Sequence, residues 1–224
     1  MNIRIETIIF DLDGTLIDTE FAASRAIREG FLSWGIQIDP SDAQYITGRT
    51  WEMAFVFLFQ KYQLPLPQED AARILMDRYR DALKNHVDIV PGAVEAVRSL
   101  ARVFPLGLVS GSYRSEIFWA LNKLGIENEF KVILGAEDYP RSKPMPDGYL
   151  KALKILAAEP KNCLIFEDSQ AGISSARAAG AWVTAITSTN HFSQDTAAAH
   201  RHIADLTVVN PEWVEDFTTR LSGK

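Results

Sequence analysis

Residues 5–15 read IETIIFDLDGT. The stretch 5–10 is short, β-branched and apolar, the pattern of a strand buried on both faces, and Asp11 and Gly14 end it. Runs of the same kind recur at 104–109 (FPLGLV), 131–134 (KVIL), 162–166 (NCLIF), 181–186 (AWVTAI) and 206–209 (LTVV). Helical periodicity fills the gaps. Val94, Val97, Leu100 and Ala101 share a face, as do Ile117, Ala120, Leu121 and Leu124, with Gly125 as a stop. Leu150, Leu153, Leu156 and Ala157 make a further stripe, and Ile173 and Ala176 follow the run at 162–166. Strand and helix in alternation specify an α/β fold: a parallel sheet with helices on both faces.

The segment 17–88 breaks the alternation and reads as helices only. Trp51, Ala54, Phe55, Leu58, Phe59 and Tyr62 form one stripe, Ala72, Leu75, Met76, Tyr79 and Leu83 a second, and Ile27, Phe31 and Trp34 a third. The expectation is an all-helical domain at 17–88 inserted into a core made of 1–16 and 89–224, with hinges at Leu16–Asp18 and His86–Gly92. The stretch Thr187–His202 is polar and reads as a loop.

The chain has 224 residues, 47% hydrophobic and 23% charged, which supplies ample material for a core. Its net charge of −6 repels nucleic acid and anionic membranes at long range, so neither is an expected partner. Arg4 and Glu6 interrupt the N-terminal apolar run, which lacks the features of a signal peptide. No stretch approaches the ~18 uncharged apolar residues of a membrane span. Cys163 is the single cysteine and has no disulfide partner in the chain, which suits a reducing compartment. A cytoplasmic protein, monomeric or weakly homodimeric, is the expectation.

Ligands of a parallel sheet collect beyond the carboxyl ends of its strands. There the sequence places Asp11 and Asp13 after the first strand, Ser110-Gly111-Ser112 after the second, Lys143 in the loop after the third, and Glu167-Asp168 after the fourth. Carboxylates gathered in this way need a cation, and hard oxygen donors select Mg2+. Asp11 and Asp168 are the evident side-chain ligands. A phosphate ester explains the rest. A carboxylate facing a dianionic phosphate at 4 Å meets roughly 8 kcal/mol of repulsion at an effective dielectric of ~20, which a divalent ion and Lys143 offset. Ser110 and the amides near Gly111 suit phosphoryl oxygens.

FDLDGTLIDTE (10–20), VSGS (109–112), SKPMPDGY (142–149) and FEDSQAGI (166–173), in this order, resemble the four motifs of the haloacid dehalogenase superfamily of phosphotransferases. Within it the chain is similar to the branch of β-phosphoglucomutase, phosphoglycolate phosphatase and small sugar-phosphate phosphatases. The resemblance covers nearly the whole chain and implies a Rossmann-like core with a helical cap inserted after the first motif. It implies an aspartyl-phosphate on Asp11, acid–base work by Asp13, phosphate binding by Ser110 and charge neutralisation by Lys143. The metal set it implies is Asp11, the Asp13 backbone carbonyl, Asp168, and Glu167 directly or through water. The expected function is Mg2+-dependent hydrolysis of a small phosphate monoester, a sugar phosphate or phosphoglycolate-like. Mutases of this branch carry a histidine shortly after the first motif, and 18–23 (DTEFAA) has none. Dehalogenases proper lack the second aspartate, which here is Asp13. A phosphomutase and a non-catalytic phospho-ligand-binding module are the rival readings.

Other residues divide between a functional and an ordinary reading. Thr47, Gly48 and Arg49, with Glu20, are candidate substrate contacts; the ordinary reading is a helix–helix turn and a first-turn acid. Glu167-Asp168 also suits a helix cap. His191, His200 and His202 are expected as solvated histidines, Lys61 and Lys84 as solvated lysines, and Cys163 as buried and inert.

Overall fold

The computed structural model describes residues 4–46, 50–85, 87–191 and 193–222; within that span the side chains of Glu20, residues 43–45, Asn85 and residues 221–222 are left aside. A six-stranded parallel sheet forms the centre. Its strands are β1 (Thr7–Phe10), β4 (Leu106–Val109), β5 (Phe130–Leu134), β6 (Cys163–Glu167), β7 (Trp182–Ile186) and β8 (Arg201–Ile203), in the order β5-β4-β1-β6-β7-β8. β1 pairs with β4 and β6 (Ile8 opposite both Leu106 and Leu164), so chain order reverses at β1. That reversal opens a crevice at the carboxyl ends of these three strands.

Both faces of the sheet are covered, which is why its inner strands read as unbroken apolar runs. Ile8, Phe10, Leu108 and Phe166 face one side, packed on Val97 of α5 (Ala93–Ala101), Leu121 of α6 (Arg114–Leu124) and Phe217 of α9 (Pro211–Ser222). Ile9, Ile165 and Val183 face the other, on Leu153 of α7 (Asp147–Ile155) and Ile173 of α8 (Gln170–Ala178). The alternation of Ile8, Ile9 and Phe10 between the two clusters follows the two-residue period of a strand.

Within residues 17–88 lie four helices among the described residues: α1 (Glu20–Ser33), α2 (Pro40–Ile46), α3 (Trp51–Lys61) and α4 (Gln68–Asn85). Phe31, Trp51, Phe55, Leu58, Leu75 and Tyr79 give them an aromatic-rich core of their own, and Val87 and Trp119 touch both this core and the sheet's. The short α2 escapes the periodicity, which needs more turns than its seven residues supply. The block is also not helical throughout. β2 (Ile17–Asp18) and β3 (Asp88–Ile89) form an antiparallel ribbon at its base, where hinges were expected.

The apolar run 206–209 is not a strand. Leu206 and Val209 are buried as the two anchors of a turn, which Asp205 sets by accepting from the Thr207 amide at 2.9 Å. The sixth strand is β8, whose first two residues fall in the stretch Thr187–His202 read as a loop. As an edge strand with one neighbour and an exposed middle residue, His202, it carries no apolar run.

Candidate active site

Four loops meet at the crevice. Asp11 continues β1, its amide donating to the Phe166 carbonyl at 3.0 Å. The loop then turns: Leu12 O accepts from the amides of Thr15, Leu16 and Ile17, and Gly14 takes φ +81°. A side chain at Gly14 would be strained and would also collide with Asp168, since a Cβ there lies 2.1 Å from Asp168 Oδ2.

Lys143 and Asp11 meet across 132 positions of chain, Nζ to Oδ1 at 2.5 Å, both side chains buried. Lys143 Nζ also donates to Glu167 Oε1 at 2.6 Å and to the Val109 carbonyl at 3.3 Å. The Tyr149 hydroxyl donates to the same Glu167 oxygen at 2.7 Å, and its ring lies 5.2 Å from the ammonium. Glu167 Oε2 accepts from the amides of Asp168 and Ser169 at 3.1 and 3.2 Å and from Ser169 Oγ at 3.1 Å. Ser169 caps α8 by accepting from the Gly172 amide.

Asp13 is half-buried and accepts three hydroxyl hydrogen bonds. Ser110 Oγ and Ser112 Oγ both donate to Oδ2 at 2.8 Å, and Thr19 Oγ1 donates to Oδ1 at 2.9 Å. Ser110 Oγ accepts from the Ser112 amide, and Tyr139 ties down the loop by donating to the Ser110 carbonyl at 2.7 Å. Gly111 lies between the two serines and is half-buried.

Ligand oxygens of Asp11, Glu167 and Asp168 all lie within 4.8 Å of one another. Burial, reinforced by Glu167 and Asp13, pushes the Asp11 carboxyl well above the usual carboxylate range, against the pull of Lys143. Burial disfavours the Lys143 ammonium, yet Asp11 and Glu167 outweigh it and hold Lys143 well above a free lysine. One ammonium therefore does not balance the carboxylates gathered here, and the oxygen-rich cluster is short of positive charge, as suits a hard divalent cation.

The structure thus brings Asp11, Asp13, Ser110, Gly111, Lys143, Glu167 and Asp168 to one crevice. Thr47, Gly48 and Arg49 lie outside the described residues, as does the side chain of Glu20. Thr19, Ser112, Tyr139 and Tyr149 were not singled out for a role, although Thr19, Ser112 and Tyr149 fall inside the quoted motifs. His202 is exposed, as the solvated reading expects, whereas His191 and His200 make specific contacts. His191 Nε2 lies 2.6 Å from Asp18 Oδ2 and its ring packs on Phe21 at 4.3 Å, because Thr189 Oγ1 donates to Gly14 O and draws the segment against the first loop. His200 accepts from the Val183 amide and packs on Trp182. Lys61 is exposed, as read, with its ammonium 2.6 Å from the buried Asp42. Lys84 is exposed beside Asp81.

Residues 8–186 match the haloacid dehalogenase-like hydrolase family over most of the chain. The chain belongs to that family. Its relatives in the family include the validoxylamine A 7'-phosphate phosphatase of Streptomyces hygroscopicus subsp. limoneus (33% identical over 202 residues, 90% of this chain and 94% of that one). Fructose-1-phosphate phosphatase YqaB of Escherichia coli is 32% identical over 79% of this chain and 94% of its own. The chain also matches the bifunctional riboflavin kinase/FMN phosphatase of Arabidopsis thaliana (31% identical), spanning 48% of that protein's length. Among solved structures, the β-phosphoglucomutase of Clostridium difficile superposes with a TM-score of 0.81 at 25% identity, covering 98% of this chain and 100% of that one. The family's parallel-sheet fold with an inserted helical cap is thus the fold of this chain. Among the described residues, no helix is long and apolar enough to cross a membrane.

Proposed function

We propose that the protein is a phosphatase that hydrolyses a small phosphate monoester, a sugar phosphate or phosphoglycolate-like compound, through an aspartyl-phosphate on Asp11 with Mg2+ as cofactor. The observation that carries this reading is the buried Lys143–Asp11 contact of 2.5 Å at the topological switch point, set among further carboxylates. Two relatives named as phosphatases of phosphorylated small molecules support the substrate class.

In this reading an Asp11 oxygen attacks phosphorus while the Lys143 ammonium offsets the repulsion between carboxylate and phosphoryl group. Asp13 protonates the leaving oxygen and then accepts a proton from the water that cleaves the acyl phosphate. Ser110 and the Gly111 amide bind phosphoryl oxygens, Ser110 exchanging its contact with Asp13 for one with substrate. The side chains of Asp11 and Asp168, with the Asp13 carbonyl, would hold Mg2+, which supplies charge neutralisation at the phosphoryl group. Residues 17–88, with their own aromatic core, act as a cap on a core of 1–16 and 89–224. Arg80 of α4, 3.0 Å from Glu116 of α6, and Met53, touching Ser142, link the two. Thr47, Arg49 and Glu20 are the proposed substrate contacts of the cap side.

Phosphate release from a panel of several dozen metabolite phosphates, with Mg2+ and with Asp11→Asn as control, tests the reading. Full activity in the variant, or no release from any ester by the parent, rejects it. The likeness to β-phosphoglucomutase favours a second reading, phosphoryl transfer within a hexose phosphate. Conversion of a hexose 1-phosphate to the 6-phosphate with little free phosphate identifies that outcome.

A further inference from the structure

The chain that follows β7 has no part in the chemistry proposed above, yet it is tied firmly to the sheet domain. Thr189 is buried, and its Oγ1 donates to Gly14 O at 2.6 Å in the first loop. Gln194 Oε1 accepts from the Gln170 amide at the start of α8 at 3.2 Å. Between these anchors Asn190 closes the chain on itself. Its side chain donates to Gln194 O at 2.9 Å and accepts from the Gln194 amide at 2.7 Å. Ser193 is held in the left-handed region at φ +52°, which a residue with a side chain keeps only where its surroundings fix it.

His191 sits on this fixed platform and reaches the other way, to the helical block. Its Nε2 donates to Asp18 Oδ2 at 2.6 Å, since an ionised carboxylate only accepts. Its ring lies 4.3 Å from that of Phe21, in the first turn of α1. The His191 and Asp18 side chains are 25% and 14% exposed, so the contact is partly screened from water. Asp18 belongs to β2, where the chain passes from the sheet domain into the block. Phe21 is 61% exposed and stands outside the block's own aromatic core.

We infer that the chain around His191 is a clasp: it grips the first linker through Asp18 and Phe21 and biases the cap toward the closed arrangement described here, in which Arg80 meets Glu116 and Met53 meets Ser142. Swinging the cap about the β2–β3 ribbon moves Asp18 and Phe21 away from His191, because the platform is anchored to Gly14 and α8 and stays behind. A contact of this size biases an equilibrium without locking it. Its loss should change the ratio of closed to open molecules about two- to fivefold. The inference rests on the reading of residues 17–88 as a mobile cap, and it is testable without turnover.

Single-molecule energy transfer gives the test. Dyes are placed at Arg73→Cys of α4 and Lys154→Cys of α7, both exposed positions, while the buried Cys163 stays unlabelled. The parent should populate the dye separation of this structure and a second, open one. His191→Ala and Phe21→Ala should each lower the closed-to-open ratio about two- to fivefold. The double variant should lower it no further than the stronger single one, because both changes remove the same contact. An unchanged ratio in His191→Ala, even with a lowered Tm, assigns the contact to packing and overturns the clasp. Additive losses in the double variant overturn the joint grip. A single separation in every protein overturns the mobile cap and the clasp together. If the parent hydrolyses no ester, the phosphatase reading fails while the dye separations still decide the clasp.

Discussion

Asp18 stands directly opposite Asp88 in the two-stranded ribbon at the base of the helical block. Like charges in such a pair oppose ribbon formation. His191 Nε2, 2.6 Å from Asp18 Oδ2, supplies a compensating contact from a separate loop. His191→Ala is therefore expected to destabilise the protein by about 0.5–1 kcal/mol, lowering Tm by roughly 1–4 °C for a chain of this size. A melting curve superimposable on the parent's would show that the contact contributes nothing.

Gly14→Ala combines a strained left-handed residue with a collision at Asp168. Backbone strain alone costs about 1–3 kcal/mol, and displacement of Asp168 disturbs a proposed metal ligand. The expected outcome is a lowered Tm together with phosphate release reduced by two orders of magnitude or more. Calorimetry should also show weaker Mg2+ binding. Parent-like activity would mean that the Asp168 position is not critical.

Alkaline stability reports on Tyr139, whose phenol is pushed up to about 12 by burial. Its neutral form is favoured by the fold, so the stabilisation is complete below the unfolded value near 10 and is lost as pH rises from about 10 to about 12. The amount is on the order of 2–3 kcal/mol from that shift. Tyr139→Phe should flatten this loss in denaturant titrations at pH 9 and pH 11.5; an equal loss in both proteins would assign it to other groups.

Cys163 is fully buried, and burial raises its thiol well above the ordinary cysteine range. At pH 8 it should be inert to a thiol-specific chromophoric reagent in the folded protein and react in full in denaturant. Because it is the single cysteine, the reaction rate reads out opening of β6. Prompt reaction in native buffer would contradict the described packing.

Chelation offers a complementary check on the cofactor. Phosphate release should vanish in excess EDTA and return when Mg2+ is restored, measured on one ester that the parent hydrolyses. Persistent activity without divalent ions would remove Mg2+ from the reading.

The inner strands were legible because burial on both faces makes every residue apolar, and Asp11 ended the first run where the crevice begins. The edge strand β8 was not, since one side faces solvent and selection for an apolar run is absent. Leu206 and Val209 misled for the converse reason: two turn anchors buried three positions apart resemble a short buried strand. At the site, residue types identified Asp11, Lys143 and Asp168, since one rim of the sheet collects them. Partner choice was not legible. Which acid Lys143 shares with Asp11, and that Thr19 and Ser112 join Ser110 on Asp13, depend on side-chain directions set by packing between distant segments.

The separation of 132 positions between Asp11 and its ammonium bears on how the protein is made. During synthesis the proposed nucleophile, Asp11, leaves the ribosome well before Lys143, which follows only after the helical block and two further sheet strands. Glu167 and Asp168 emerge later still. In the proposed mechanism a nascent chain therefore displays an inert aspartate, and reactivity begins only when β6, the fourth strand of the central sheet in chain order, docks beside β1 and closes the circuit of charges.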